Sequence, residues 1–173
     1  MPLNLHIGEA SKFFLYHMRR PLQAKRGIYE RRNIRFGSAV TPSDWEVFAS
    51  LLVDELGNGG VSGVDLENFE VKSAMNNGSY EYQYHKETGK AKLKGDMKAG
   101  HLFINHSNCL NDVEVRYVPG EKLKSFFSKW LKNYPSPYPQ RYRKNIPFGW
   151  VDKHGMLLIA FRNGSVQPSL DIL

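Results

Sequence analysis

Cysteine is almost missing from this chain. Cys109 is the only one, so no intrachain disulfide can form and no cysteine-rich zinc site can be built. That usage suits a reducing, intracellular setting, and a cytoplasmic location is the expectation. Cys109 lies in His106-Ser107-Asn108-Cys109-Leu110, which reads as a turn; an inert small residue is a plainer reading of it than a nucleophile. No apolar run approaches the roughly 18 residues a membrane helix needs, so no membrane partner is expected. The start, Met1-Pro2-Leu3-Asn4-Leu5-His6, lacks a charged segment followed by an apolar one, and no signal peptide is read there. A Gly-rich phosphate loop, a Gly-x-Ser-x-Gly elbow, an HNH pattern and a His-Glu-x-x-His pattern are all missing. These gaps disfavour ATP chemistry, serine hydrolysis and zinc peptidase chemistry. His85, His101, His106 and His154 have no convincing zinc spacing, and lone histidines are more often surface or hydrogen-bonded core residues. Gly27-Ile28-Tyr29 matches half of a GIY-YIG signature, but no Tyr-Ile-Gly follows it.

What is present fits one domain over residues 1–173, since 41% hydrophobic and 13% aromatic residues suffice for a core. The formal net charge is +7, which attracts polyanions and speeds association with them. The positive charge is clustered early, at Arg19, Arg20, Lys25, Arg26, Arg31, Arg32 and Arg35, with Tyr29 and Phe36 interleaved. A basic N-terminal arm or helix over about residues 1–40 would either be a solvated face or track phosphates along DNA. Lys86, Lys90, Lys92, Lys94 and Lys98 form a second basic stretch, and Arg141, Arg143 and Lys144 a third. Lys92, Lys94, Arg141, Arg143 and Lys144 join the seven early residues as candidates for DNA contact.

Two helices lead the chain. Residues 8 to about 20 carry Phe13, Phe14, Tyr16, His17 and Met18 as a broad apolar stripe, and Pro21 limits the helix on its C-terminal side. The next is better defined. Thr41 caps it, Pro42 suits its first position and Asp44 its first turn; Trp45, Phe48, Ala49, Leu52 and Leu56 recur at helical spacing, and Gly57 supplies the stop. Further on, Ser79–His85 alternates as a strand with Tyr80, Tyr82 and Tyr84 on one face. Residues 101–106 and 112–118 read as two more strands, and 121–133 as a helix. The stretch Tyr134-Pro135-Ser136-Pro137-Tyr138-Pro139 reads as a long extended connection, and 150–161 as a closing hairpin around Asp152-Lys153-His154-Gly155. The three tyrosines could stack on bases, although a half-buried aromatic face is the commoner outcome.

The chemistry-bearing run is Gly60-Val61-Ser62-Gly63-Val64-Asp65-Leu66-Glu67-Asn68-Phe69-Glu70-Val71-Lys72-Ser73-Ala74. Residues two apart on a strand share a face, so Glu70 and Lys72 face one way and Phe69 and Val71 the other. If Asp65 ends a preceding strand, a short hairpin at Glu67-Asn68 folds its carboxylate back beside Glu70. Two acids and an ammonium would then share a few ångströms of rigid backbone, which suits a hard divalent cation beside a phosphate. The plainer reading of Glu-x-Lys alone is a surface ion pair, of about 0–1 kcal/mol.

An Asp, a spacer and then Glu-x-Lys resembles the signature of the PD-(D/E)XK nucleases. That superfamily takes in most type II restriction endonucleases and MutH-type mismatch-repair nucleases. The match is strict only over residues 60–74; Val64 stands where the signature has proline, and the spacer of four residues is short. The resemblance implies an α/β (α+β) fold with a restriction-endonuclease-like core, a mixed central β-sheet flanked by helices. It implies a Mg²⁺-dependent DNA endonuclease, with Mn²⁺ able to substitute, that leaves 5′-phosphate and 3′-hydroxyl ends. Asp65, Glu70 and the backbone carbonyl of Val71 would bind the metal. Lys72 would orient or deprotonate water or stabilise the phosphorane. The preceding helix would add an acid, Glu46 first and Glu55 second. Double-stranded DNA would be the partner of a sequence-specific restriction enzyme, either as a homodimer or as a small catalytic subunit beside a larger specificity subunit. A repair or resolvase nuclease of the same class is an alternative. From outside that class, so is a non-catalytic basic module that binds nucleic acid.

Overall fold

A computed structural model describes residues 3–37, 40–59, 63–85, 88–135 and 140–168. The chain forms a mixed α/β architecture around a five-stranded sheet, with a separate two-stranded sheet of β2 (Tyr80–His85) and β5 (Arg141–Ile146). The large sheet comprises, in spatial order, β1 (Phe69–Met75), β3 (Gly100–His106), β4 (Val113–Pro119), β6 (Met156–Arg162) and β7 (Ser165–Pro168). Only the β1–β3 pairing is parallel; the rest are antiparallel. This is the mixed central sheet flanked by helices that the sequence led us to expect.

The N-terminal helix does not stop at Pro21. Helix α1 (Ile7–Phe13) runs through a π-helical stretch, Phe14–Arg19, into α2 (Arg20–Arg31), with helical backbone at both junctions. Proline lacks an N–H and crowds the carbonyl four residues back, so it breaks an α-helix in mid-run. A wide π-turn just before it already interrupts that hydrogen-bond pattern, and Pro21 falls in the first turn of the next segment. Ala10, Phe14, Met18 and Leu22 are the buried residues, spaced by four. A spacing of four drifts round an ordinary α-helix of 3.6 residues per turn, and the wide turn realigns it. Tyr16 is 54% exposed and His17 is exposed too, so the apolar stripe is narrower than expected.

Helix α3 (Pro42–Val53) is closed at its start by a capping box, with Thr41 N donating to Asp44 Oδ2 at 2.7 Å and Asp44 N to Thr41 Oγ1 at 3.3 Å. Trp45, Phe48, Ala49 and Leu52 are buried as expected. The helix ends earlier than Gly57, at Asp54 in the left-handed conformation. That turn sends Leu56 out to solvent, 73% exposed, rather than into the core.

Alternation along the strands splits the interior in two. One core joins α1, α2 and α3 to Val71, Leu102, Ile104, Val115, Ile159 and Phe161. The other joins Phe103 and Val118 to Tyr80, Tyr82 and Tyr84 of β2 (Tyr80–His85), Tyr142 and Ile146 of β5 (Arg141–Ile146), and Phe127 and Trp130 of α5 (Gly120–Lys132). The β2/β5 ribbon therefore covers the face of the main sheet that carries Glu70 and Lys72. The tyrosines are fully buried, which excludes base stacking and leaves them a packing role.

Arg141, Arg143 and Lys144 lie on strand β5, and the lysine-rich stretch contains a helix, α4 (Gly89–Asp96). One further expectation changes: Trp150 and Val151 lie in helix α6 (Phe148–His154), and the closing hairpin is instead β6–β7. Its turn is Asn163-Gly164, with both residues at positive φ (50° and 75°), the geometry that matches strand twist in two-residue hairpins. Residues 136–139 of the expected extended connection, Lys86, and residues 60–62 of the acidic run lie outside the described residues.

Candidate active site

The site is built on β1, an edge strand of the main sheet. Glu70 pairs in register with His101 and Lys72 with Phe103, so both side chains face the ribbon. Asp65 is not on a strand. It sits in a bend held by a bridge between Gly57 and Leu66 and by Asn58 N donating to Asp65 O at 3.0 Å. The tight turn at Glu67-Asn68 does form, closed by Leu66 N to Phe69 O at 2.9 Å. It folds the Asp65 carboxylate back onto β1, where Oδ2 accepts the Val71 N–H at 2.8 Å. Glu55 clamps the same turn, accepting from Asn68 N and Nδ2 at 2.9 and 3.0 Å. Glu55 thus positions the loop and does not line the cleft.

Lys72 lies between the two acids, with its Nζ 2.5 Å from Glu70 Oε1 and 3.7 Å from Asp65 Oδ2. Glu70 is fully buried and has a second cation that sequence reading did not place there. Lys92 of α4 puts its Nζ 2.9 and 2.8 Å from the two Glu70 oxygens and 2.6 Å from the Gly63 carbonyl. Lys92 was expected on DNA; its ammonium points inward instead. Gly63 has φ 117°, and a Cβ there would stand 2.9 Å from Asn58 Nδ2, so the loop that presents this carbonyl requires glycine. Behind Lys92 lies Asp96, whose Oδ1 is 3.6 Å from the ammonium and whose Oδ2 accepts from the Tyr84 hydroxyl at 2.9 Å. His101 completes the network between the Asp96 carbonyl (2.7 Å to Nε2) and the Tyr82 hydroxyl (2.8 Å to Nδ1). A carbonyl only accepts, so Nε2 carries the proton and neutral Nδ1 takes the Tyr82 O–H.

The electrostatics follow from this packing. Burial pushes the Glu70 carboxyl up, but Lys72 and Lys92 together hold it below the ordinary carboxylate value. Burial, with the Glu70 charge second among the raising causes, lifts Asp65 despite Lys72 and the Val71 N–H. Burial works against the Lys72 ammonium, yet Glu70 and Asp65 leave its pKa raised. Glu46 of α3 is lifted by burial and then by the Asp65 charge. Groups whose affinities for protons are pushed apart in this way cluster at functional sites.

Two adjoining hollows open here. One, of about 200 Å³, is lined by Trp45, Glu46, Asp65, Val71, Lys72 and Glu81. The other, of about 350 Å³, includes Glu46, Asp65, Gln83, His85 and Lys92. Two larger hollows, of about 450 and 490 Å³, are lined by none of Asp65, Glu70 and Lys72. Converging charge, rather than size, singles out the first pair.

No protein-family profile matches this chain, and no curated protein resembles it in sequence. The likeness to PD-(D/E)XK nucleases therefore rests on Asp65, Glu70 and Lys72 and on the arrangement around them.

The donor chemistry fits Mg²⁺ to a definite extent. Magnesium takes oxygen ligands, commonly one or two carboxylates, and keeps several waters. Asp65 and Glu70 are two such groups. Val71 turns its N–H towards Asp65 at the free edge of β1, and the carbonyl of a strand residue points to the same side as its N–H. Among the described residues no three His, Cys, Asp or Glu side chains form a metal cluster, and both Glu70 oxygens are taken by ammonium groups. An ion would have to displace one of them.

The expected DNA contacts are scattered over several elements. Arg20, Lys25, Arg31, Arg32, Arg35 and Lys94 are exposed, Arg20 lying over the Tyr16 ring. Arg19 turns back to Asn111 Oδ1 at 3.1 Å, and Arg26 pairs with Glu30 at 2.6 Å. Arg141 and Arg143 are exposed on β5, while Lys144 lies over the Tyr142 ring.

Proposed function

We propose that this chain is a Mg²⁺-dependent DNA endonuclease of the PD-(D/E)XK kind, hydrolysing phosphodiester bonds to 5′-phosphate and 3′-hydroxyl ends. The observation that carries the reading is the convergence of the Asp65 carboxylate, from the loop, with Glu70 and Lys72 of edge strand β1, with Glu46 lining the same open cleft. Asp65, Glu70 and the Val71 carbonyl would hold the ion, which supplies charge neutralisation on the phosphate and a more acidic bound water. Lys72 stays protonated at neutral pH, because Glu70 and Asp65 raise its pKa. Its part is then to stabilise charge on the phosphorane rather than to remove a proton. Glu46, its carboxyl already raised, faces the same cleft and is the better placed of the chain's acids to accept a proton from water. Lys92 orients Glu70. The form proposed is a sequence-specific restriction enzyme, either homodimeric or paired with a specificity subunit.

One observation favours a second reading. Glu70 is buried and neutralised by two lysines, as in a purely structural ion-pair network. The chain would then be a non-catalytic DNA-binding module. The deciding test is incubation of long, sequence-diverse DNA with Mg²⁺ or EDTA, comparing wild type with identically purified Asp65→Asn and Glu70→Gln. Thermal melts of each would verify folding. Mg²⁺-dependent fragments with 5′-phosphates from the wild type alone are expected. Equal cutting by all three would place the activity outside Asp65 and Glu70, and binding without cutting by a folded wild type would favour the module.

A further inference from the structure

The cleft accounts for cutting but not for choice of sequence, and the surface beside it is the β2/β5 ribbon. Its inner face, with Tyr80, Tyr82, Tyr84, Tyr142 and Ile146, is buried. Strand alternation sends Glu81, Gln83 and His85 of β2 and Arg141, Arg143 and Asn145 of β5 to the other side. All six are exposed except Gln83, which is half-exposed. The antiparallel register sets Glu81 across from Asn145, Gln83 across from Arg143, and His85 across from Arg141.

The chemistry of that face is specific. The major groove of B-DNA admits a two-stranded ribbon, and base edges there are read by arginine on guanine, asparagine or glutamine on adenine, and carboxylate on cytosine. Each of these side-chain types is present on this face. The face also adjoins the proposed chemistry. Glu81 lines the cleft with Asp65 and Lys72, and Gln83 and His85 line the next hollow with Asp65 and Glu46. The ribbon is anchored from below, where three tyrosine hydroxyls bond to Asp96, His101 and the Trp130 carbonyl. Its outer side chains are held lightly. Gln83 Nε2 donates to Glu81 Oε1 at 2.7 Å, and Arg143 Nε lies 3.9 Å from the same oxygen, an exposed contact easily exchanged. A rigid platform carrying loosely tethered polar groups is what base readout requires.

We infer that the outer face of the β2/β5 ribbon enters the DNA major groove and that Gln83, Arg143 and Asn145 determine sequence specificity by contacting base edges. The inference rests on DNA being the substrate of the proposed activity.

The test is selection of duplexes from a randomised library by the full chain, in EDTA and again in Ca²⁺. It uses wild type, Gln83→Ala, Arg143→Ala and Asn145→Ala, each with a wild-type thermal melt. The wild type is expected to enrich a defined motif. Each substitution should erase preference at one position, or one symmetric pair, and weaken binding of that motif about 5- to 150-fold. Affinity of Gln83→Ala and Asn145→Ala for non-motif duplex should stay near wild type. A motif that all three variants retain overturns the inference, as does wild-type binding without base preference. Neither of those results bears on Mg²⁺-dependent cleavage. If the motif shifts but Mg²⁺ gives no cutting, the ribbon assignment stands and the nuclease reading falls. If the wild type binds no duplex, both fall.

Discussion

The two faces of the main sheet are packed by different chemistry. Beneath α1, α2 and α3 the interior is almost wholly apolar among the described residues, with Phe14, Phe48, Leu52 and Phe161 sealed from solvent and His106 a buried polar side chain packed on Trp45. Beneath the ribbon lie Glu70, Asp96 and His101, all buried. A buried charge is expensive unless it is paired, and Glu70 is paired with both Lys72 and Lys92. The difference teaches where to look for function. Both faces bury an apolar core, but only the ribbon face adds a network of buried titratable groups beside an open cleft.

The comparison breaks first if the apolar face proves inessential. Phe48→Ala should cost about 3–5 kcal/mol in denaturant unfolding, while the cleavage rate at low temperature stays within a few-fold of wild type. Lys72→Met should do the converse in a protein that still folds, since Lys92 keeps Glu70 paired, lowering single-turnover cleavage about 10²–10³-fold.

Asp96 and His101 sharpen the comparison through pH. Burial, with the Glu70 charge second, pushes the Asp96 carboxyl up to about 7 from an ordinary 3.8. Its contribution to stability is complete below pH 3.8 and is lost as pH rises through 7. Burial pushes the His101 imidazole down to about 4 from 6.5. Its contribution is present above pH 6.5 and is lost as pH falls through 4. The two slopes oppose each other over most of the same window. In Asp96→Asn only the histidine slope remains, so its melting temperature should rise from pH 4 to 7 by several degrees more than that of wild type. His101→Gln should show the opposite tilt. Parallel profiles in all three proteins would contradict this account of the network. The smallest effect expected is at Arg32, exposed on the chain leaving α2. Arg32→Ala should weaken binding to every duplex a few-fold and reduce the salt slope by about one.

Local rules explain what could be read in advance. Period-two alternation placed Glu70 and Lys72 on one face, and a two-residue turn brought Asp65 back to them. The capping residues of α3 and the tyrosine strand were equally plain. The failures have physical causes. Lys92 meets Glu70 across 22 residues of chain, through a helix placement that no local pattern encodes; its i,i+4 spacing to Asp96 was the one faint signal. Asp96 is hydrophilic and was bound to look exposed, since its partners, Tyr84 and Lys92, are supplied by tertiary packing. Pro21 looked like a helix end because a π-turn leaves no clear mark in sequence. Strand β5 was missed because its outer face is basic, and only its inner residues, Tyr142 and Ile146, alternate as a strand should.

The most direct test of the central claim is a Mn²⁺ titration of wild type and Asp65→Asn, followed by electron paramagnetic resonance of the free ion. The account predicts a bound ion in the wild type that Mg²⁺ displaces and that is lost or weakened at least tenfold in a folded Asp65→Asn. Equal Mn²⁺ binding by both proteins, or none by a folded wild type even with duplex DNA present, would mean that Lys72 and Lys92 neutralise Glu70 permanently and that the cluster is structural.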